Sequence, residues 1–240
     1  MTVKTSFPAY ARAHLRPIGV VTLGFIQDSR AVLLLAACGT LRINRLLVAA
    51  ILWALTSALL GGCGDRPQAP QFKLTDISGV DFGRALNLTD HNGKPRTLAD
   101  FRGKVVMVFF GFAHCPDVCP TALAEMAQVV KELGRDADRV QVLMVTVDPE
   151  RDTQQVLKQY VPSFNPNFLG LYGDAGATAR AAKEFKVYYQ KQPVKDGGYS
   201  VDHSAGTYIL DREGRLRLFA QHGAGAPAML HDIRILLDAS

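Results

Sequence analysis

The chain has 240 residues, and its 27 basic and 22 acidic side chains give a formal net charge of +5 at neutral pH. Six of the basic residues and one acid lie within residues 1–63, so residues 64–240 carry equal numbers of each sign. A nucleic-acid-binding domain is expected to keep a basic stripe, and none remains once this N-terminal segment is set aside. The composition therefore predicts one neutral domain behind a basic leader, with no nucleic acid as partner.

The N-terminal leader has the organisation of an export signal. Residues 41–45 supply positive charge, residues 46–60 form an apolar run, and Gly61-Gly62-Cys63 follows. The run is short for a membrane-spanning helix. Small residues before a cysteine resemble the bacterial lipoprotein cleavage box, which predicts lipidation of Cys63, and an uncleaved membrane anchor is the alternative. Either one is expected to hold the domain at the periplasmic face of a bacterial inner membrane.

The leader also suggests how the chain is divided. A signal sequence belongs at the N-terminus, so we interpret residues 1–40 as lying upstream of the true translation start. Residues 41–63 are the signal or anchor, and residues 64–80, which begin with a Pro-rich polar stretch, are predicted to be a tether. Residues 81–240 are predicted to form the folded domain.

The folded part alternates apolar strands with amphipathic helices. Residues 81–87 are predicted as a short strand, and residues 105–110 form an apolar run typical of a buried central strand. A helix with its expected end at Gly134 follows, and residues 140–147 form a second buried strand. Polar residues 187–200 are predicted to form an inserted loop or hairpin. This order predicts an α/β, thioredoxin-like fold with a central mixed sheet flanked by helices.

Cys115 and Cys119 stand between the first buried strand and the helix that follows it. A strand that delivers cysteines to a helix N-terminus is the arrangement of thioredoxin-like domains. The helix dipole and its free N–H groups are expected to lower the pKa of such cysteines. Because thiolate is both a nucleophile and a soft metal ligand, three uses remain open: a structural disulfide, a thiol–disulfide oxidoreductase pair and a metal site. The small ring makes a structural disulfide a weak stabiliser, and the pattern favours a metal site.

A metal site on this pair needs a third ligand, and His203 is the candidate. Val201-Asp202-His203-Ser204 directly precedes a predicted strand, and in thioredoxin-like topology the loop before that strand faces the cysteine loop. Thioredoxins carry a proline there, whereas this chain carries a histidine. His114 adjoins Cys115 but is predicted to point away from the sulfurs. Two thiolates and one imidazole suit a soft or borderline ion, with copper favoured over zinc.

Three motifs in this order resemble the Sco/SenC family, the copper-binding proteins that mature cytochrome c oxidase. The resemblance covers roughly residues 82–237, and the motifs are Phe112-Ala113-His114-Cys115-Pro116-Asp117-Val118-Cys119-Pro120, Val147-Asp148-Pro149-Glu150-Arg151-Asp152-Thr153 and Val201-Asp202-His203-Ser204. It implies that Cys115, Cys119 and His203 bind one copper ion, as Cu(I) or Cu(II).

The resemblance also implies a function. A membrane-tethered metallochaperone would serve assembly of the dinuclear copper site of cytochrome c oxidase subunit II, with a copper donor and a thiol reductant as further partners. In the alternative, Cys115 and Cys119 act as a thiol–disulfide oxidoreductase that reduces cysteines of the oxidase subunit or serves redox defence. Asp148 corresponds to a family aspartate near the metal, which we interpret as orienting a ligand or the cysteine loop. Capping of the strand end is the alternative role for Asp148.

Overall fold

The computed structural model describes Trp53, residues 71–195 and residues 197–239. The predicted N-terminal extension, the lipidation site Cys63 and, apart from Trp53, the predicted signal or anchor lie outside the described residues. Among the residues that are described, no helix is both long and apolar enough to cross a membrane.

Strands and helices alternate along the described part of the chain, which contains ten strands and four α-helices. In chain order they are β1 (Thr75–Asp76), β2 (Asn87–Asp90), β3 (Pro95–Thr97), β4 (Val105–Gly111), α1 (Val118–Leu133), β5 (Val140–Thr146), α2 (Gln154–Tyr160), β6 (Leu169–Tyr172), α3 (Ala175–Glu184), β7 (Tyr189–Pro193), β8 (Tyr199–His203), β9 (Gly206–Leu210), β10 (Leu216–Gln221) and α4 (Ala226–Asp238).

Eight of these strands form one mixed sheet in the order β1-β10-β9-β4-β5-β6-β2-β3. Strand β5 pairs in parallel with β4 and β6, whereas β9 pairs antiparallel with β4 and β10. Strands β7 and β8 form a separate two-stranded hairpin. The prediction of an α/β fold with a central mixed sheet, flanking helices and an insertion is confirmed.

Strand β4 lies at the centre of the sheet and is buried along its whole length, as its apolar run predicted. Successive side chains of a strand point to opposite faces of the sheet, so Phe109 and Phe110 contact different neighbours. The Phe110 ring packs against Phe185 at 5.3 Å, and the Phe109 ring contacts His203 at 6.2 Å. The parallel register places Gly111 beside Thr146. The loops that follow β4 and β5 therefore meet at one edge of the sheet.

The folded domain begins before its predicted boundary at residue 81. Thr75–Asp76 pairs with β10, and the side chain of Leu74 is buried. The backbone amides of Lys73 and Leu74 donate to the buried carboxylate of Asp232 on α4, at 2.8–3.0 Å. The predicted tether is therefore too long at its C-terminal end. A two-residue strand has no alternating pattern from which it could be predicted.

The strand predicted at residues 81–87 lies further along the chain, as β2. Its last residue, Asp90, is fully buried, and its carboxylate accepts the backbone amides of Asn92 and Lys94 at 2.9 and 3.0 Å. Arg96 donates from Nε to the same carboxylate at 2.8 Å. This aspartate closes the β2–β3 turn from the inside.

Candidate metal centre

Helix α1 directs Cys119 into the protein. It begins at Val118 and ends against Gly134, whose φ of 57° is a left-handed conformation that suits glycine. Cys119, Leu123 and Met126 lie on the buried face of the helix at helical spacing. Cys119 is consequently 0% exposed although it sits in the first turn of the helix.

Cys115 lies on the loop before the helix and is partly exposed, and both cysteines are free thiols. The backbone amide of Cys119 donates to Cys115 Sγ at 3.4 Å, and the amide of Cys115 donates to the carbonyl of Phe112 at 3.3 Å. These two contacts fold the loop into a tight turn over the helix start. Cys115 is therefore the sulfur of the pair that solvent or a partner reaches first.

The electrostatics of Cys119 differ from the prediction that the helix end lowers the pKa of the cysteines. Burial raises the pKa of the Cys119 thiol strongly, and a hydrogen bond with the backbone of Phe112 offsets only part of this rise. The prediction was wrong for Cys119, because its sulfur faces the core and loses the solvation that a thiolate needs. Its thiol stays protonated until a metal ion or a chemical step removes the proton.

His203 is the last residue of β8, and its imidazole faces the buried sulfur. The ring packs against Phe109 and Phe112, with centroids 6.2 and 5.9 Å away. Its Nδ1 lies 3.1 Å from the carbonyl oxygen of Ser204. Since a carbonyl only accepts, Nδ1 carries the proton and the lone pair is on Nε2. That Nε2 is 3.6 Å from Cys119 Sγ.

Burial also lowers the pKa of His203, so the imidazole is neutral at neutral pH. A neutral imidazole with its second nitrogen held by a carbonyl is the form in which histidine binds metals. Cys119 thus contacts both Cys115 and His203. In the described part of the chain, however, no group of three or more His, Cys, Asp or Glu side chains lies close enough to hold a metal ion. The three candidate ligands therefore do not form a complete metal site in this structure.

Asp148, predicted near the metal, is fully buried at the end of β5, where its amide donates to Thr146 Oγ1 at 2.9 Å. One carboxylate oxygen accepts from Arg151 Nε, and the other accepts from the hydroxyl of Tyr199 at 2.8 Å. Tyr199 is the first residue of β8, the strand that ends at His203. The Asp148 carboxylate therefore holds the start of the strand whose last residue is His203.

Asp152 is a site residue that the sequence reasoning missed. Its buried carboxylate accepts the backbone amide of Ala113 at 3.0 Å and the hydroxyl of Thr146 at 2.7 Å. Burial raises the pKa of Asp152. His114 Nδ1 lies 3.5 Å from its other oxygen, so His114 faces this carboxylate. Asp152 fixes the backbone of the cysteine loop, and its four-residue spacing from Asp148 in the second motif was the available signal.

Gly111 limits the space around Cys119. An added Cβ there would lie 2.5 Å from Phe109 Cε1 and 3.0 Å from Cys119 Sγ. We expect Gly111→Ala to lower the free energy of unfolding by about 1–3 kcal/mol through overpacking, and also to weaken binding of a soft metal ion. Urea denaturation and a metal titration measure the two effects.

The matched control is Gly170→Ala on β6, where an added Cβ would lie 3.0 Å from Val161 Cγ2 and 3.1 Å from Leu157 Cβ. Gly170→Ala is expected to destabilise the domain and to leave metal affinity unchanged. Equal losses of metal affinity in the two variants would contradict a specific role for Gly111.

The fold and the site together define a thioredoxin-like domain with a reduced dithiol and a facing imidazole. The chain belongs to the SCO1/SenC family, whose model matches residues 75–238. Among its relatives, the mitochondrial SCO2 homolog of Mus musculus is 38% identical over 197 residues, which cover 80% of this chain and 77% of the relative.

Solved structures agree with this assignment. ScoI of Bradyrhizobium japonicum, determined with copper bound, is 41% identical, with a TM-score of 0.61 over 65% of this chain and 99% of that one. Yeast Sco1, also determined with copper bound, is 30% identical, with a TM-score of 0.61 over 66% of this chain and 90% of that one.

Proposed function

We propose that this protein is a copper metallochaperone that binds one copper ion through Cys115, Cys119 and His203. Its cargo serves assembly of the dinuclear copper site of cytochrome c oxidase subunit II. The observation that carries the proposal is the 3.6 Å contact between Cys119 Sγ and His203 Nε2, with the imidazole lone pair directed at the sulfur. ScoI, 41% identical, has copper bound in its solved structure, which supports the choice of metal.

The donor set fits copper as a transferable cargo. Two sulfurs and one imidazole nitrogen are soft or borderline ligands, which suit Cu(I) and also accept Cu(II). Three ligands leave a coordination position at which a recipient can begin to take the metal. Cys115, the partly exposed sulfur, is the ligand that a recipient or a donor can reach, whereas Cys119 and His203 hold the ion from the buried side.

The second candidate function is thiol–disulfide exchange, and the free state of both cysteines favours it. The partly exposed Cys115, on losing its thiol proton, would attack a disulfide of the oxidase subunit and form a mixed disulfide. Cys119 would then attack the Cys115 sulfur, release the partner as a dithiol and leave a Cys115–Cys119 disulfide. A thiol reductant must supply two electrons to reset the pair. The same reduced pair serves both functions, so His203 is the residue that separates them.

We further propose that the domain works at the periplasmic face of a bacterial inner membrane, held by lipid on Cys63 or by an uncleaved N-terminal helix. The support is the order of basic, apolar and small residues across residues 41–63. Mass spectrometry of the protein extracted from membranes tests this, because a diacylated N-terminal Cys63 peptide is expected. An unmodified Cys63 in a longer N-terminal peptide would favour the uncleaved helix.

The function is tested in cells that lack the native gene and express variants of this chain. We expect His203→Ala and Cys115→Ser both to abolish assembly of the dinuclear copper site of the oxidase, since each removes a copper ligand. His114→Ala is the control and is expected to support assembly, because that ring faces Asp152. Assembly that survives His203→Ala and fails in Cys115→Ser would replace the metallochaperone with the reductase.

A further inference from the structure

The hairpin that carries His203 is fixed to the domain by side chains. Strands β7 and β8 pair with each other and are not part of the eight-stranded sheet. Val201 is the buried side chain of β8, while its neighbours are partly or fully exposed. No strand pairing in the described residues joins the hairpin to the main sheet. Between its two chain connections, the position of the hairpin therefore depends on the contacts made by a few side chains.

Arg151 makes the most extensive of these contacts. Its Nε donates to Asp148, and its Nη1 donates to the carbonyl of Tyr199 at 2.8 Å. The guanidinium carbon lies 3.9 Å from the centre of the Tyr199 ring and 5.8 Å from that of Phe112. The Phe112 ring in turn packs against His203. One side chain thus contacts the loop after β5, the start of β8 and the aromatic ring beneath the imidazole.

Asp148, Arg151 and Tyr199 form a closed set of contacts, which we name the Arg151 latch. The Tyr199 hydroxyl donates to the carboxylate oxygen that Arg151 leaves free. Hydrogen bonds to a buried carboxylate are charge-assisted and strong, and loss of one partner leaves an unpaired buried charge. A lysine could supply the charge but cannot stack and donate in two directions at once. A second pair between the same segments, Lys191 with Glu150, is largely exposed and contributes little.

We infer that Arg151 is a positioning residue that holds His203 within reach of Cys119, so that the imidazole is in place before copper arrives. The inference rests on the proposed function and assigns Arg151 no contact with the metal. Without the latch, the hairpin would hold His203 in place for only part of the time. The apparent affinity would then fall in proportion to the fraction of molecules that is competent to bind.

The chain offers a matched control in Arg96. Like Arg151, it donates from Nε to a fully buried aspartate, Asp90, and lies near an aromatic ring, that of Phe101 at 5.6 Å. Arg96 lies on β3, the strand at one end of the sheet order. Arg151→Gln and Arg96→Gln are therefore expected to cost similar stability, and only Arg151→Gln is expected to act on the copper site.

The first test measures Cu(I) affinity of the reduced full-length protein by competition with a chromophoric Cu(I) chelator. We expect Arg151→Gln to lower the affinity about 10-fold, in the range that loss of a supporting contact around a metal site produces. Arg96→Gln should change it by less than about twofold. In a His203→Ala background, Arg151→Gln should have no further effect, since the two residues act through one ligand. Unchanged affinity, or an equal loss in both backgrounds, would overturn the inference.

The second test needs no copper and measures hydrogen exchange of backbone amides in the apo protein. Arg151→Gln should accelerate exchange in β7 and β8 about 10-fold while β4 stays protected, because detachment of the hairpin is a local opening. Arg96→Gln should leave the hairpin unchanged, and unchanged hairpin protection in Arg151→Gln would also overturn the inference. Failure of the wild type to bind copper would instead count against the proposed function. Tyr199→Phe, which removes one hydroxyl, should shift both measurements in the same direction as Arg151→Gln. It takes the place of Arg151→Gln as the test variant if that protein does not fold.

Discussion

Replacement of Cys119 with serine is expected to have the largest effect on copper binding of any single substitution. Cys119 is the central residue of the proposed site, since it contacts Cys115 on one side and His203 on the other. A hydroxyl is a hard ligand that Cu(I) disfavours. The affinity for Cu(I) should therefore fall by more than about 100-fold, beyond what loss of a supporting contact costs. Competition titration of the reduced protein measures this loss.

Stability must be separated from metal binding in this experiment, because Cys119 is fully buried. A buried serine hydroxyl without a good partner costs about 1–3 kcal/mol, whereas alanine adds no polar group. Cys119→Ala should therefore be closer to the wild type in urea denaturation than Cys119→Ser and equally defective in copper binding. Copper affinity that follows the unfolding free energy across the two variants would contradict a direct role as ligand.

Replacement of His203 with alanine is expected to separate the two candidate functions. It removes the proposed nitrogen ligand and leaves both thiols in place, so Cu(I) affinity should fall by about 100-fold or more, exceeding the cost of a lost supporting contact. The rate at which the reduced pair reduces a model disulfide should change by less than about threefold, because thiol–disulfide exchange depends on the two sulfurs. A thiol–disulfide assay and the competition titration are run on the same preparation.

His114→Ala is the control for this substitution, because His114 adjoins Cys115 in sequence and faces Asp152 in the structure. It should retain copper binding and exchange activity. If His203→Ala binds copper as tightly as His114→Ala does, His203 is not a ligand, and the donor set must be sought elsewhere.

The features that the sequence predicts well are those with a local cause. The apolar run at residues 105–110 predicts a buried strand because it is short and rich in β-branched and aromatic residues. Gly134 predicts a helix end because glycine readily adopts a left-handed conformation. The facing position of His203 is also predictable, since topology places the loop before β9 beside the cysteine loop. The hairpin nevertheless extends through His203, which the sequence did not indicate.

The features that were missed depend on distant partners. Residues that precede 81 join the fold through the carboxylate of Asp232, more than 150 positions along the chain. Arg151 and Asp152 stand in a motif that was recognised, but their partners, Tyr199 and Ala113, come from other segments. The helix position of Cys119 alone predicts a lowered pKa, but burial has the larger effect and raises it. Spacing does not reveal which way a side chain faces.

The central claim is that two sulfurs and one imidazole bind a single copper ion. Titration of the reduced full-length protein with Cu(I), followed by X-ray absorption spectroscopy at the copper edge, tests it most directly. We expect one tightly bound equivalent, with two sulfur neighbours and one nitrogen neighbour that is lost in His203→Ala. Failure of the wild type to bind one equivalent tightly, or a spectrum that His203→Ala leaves unchanged, would contradict the account.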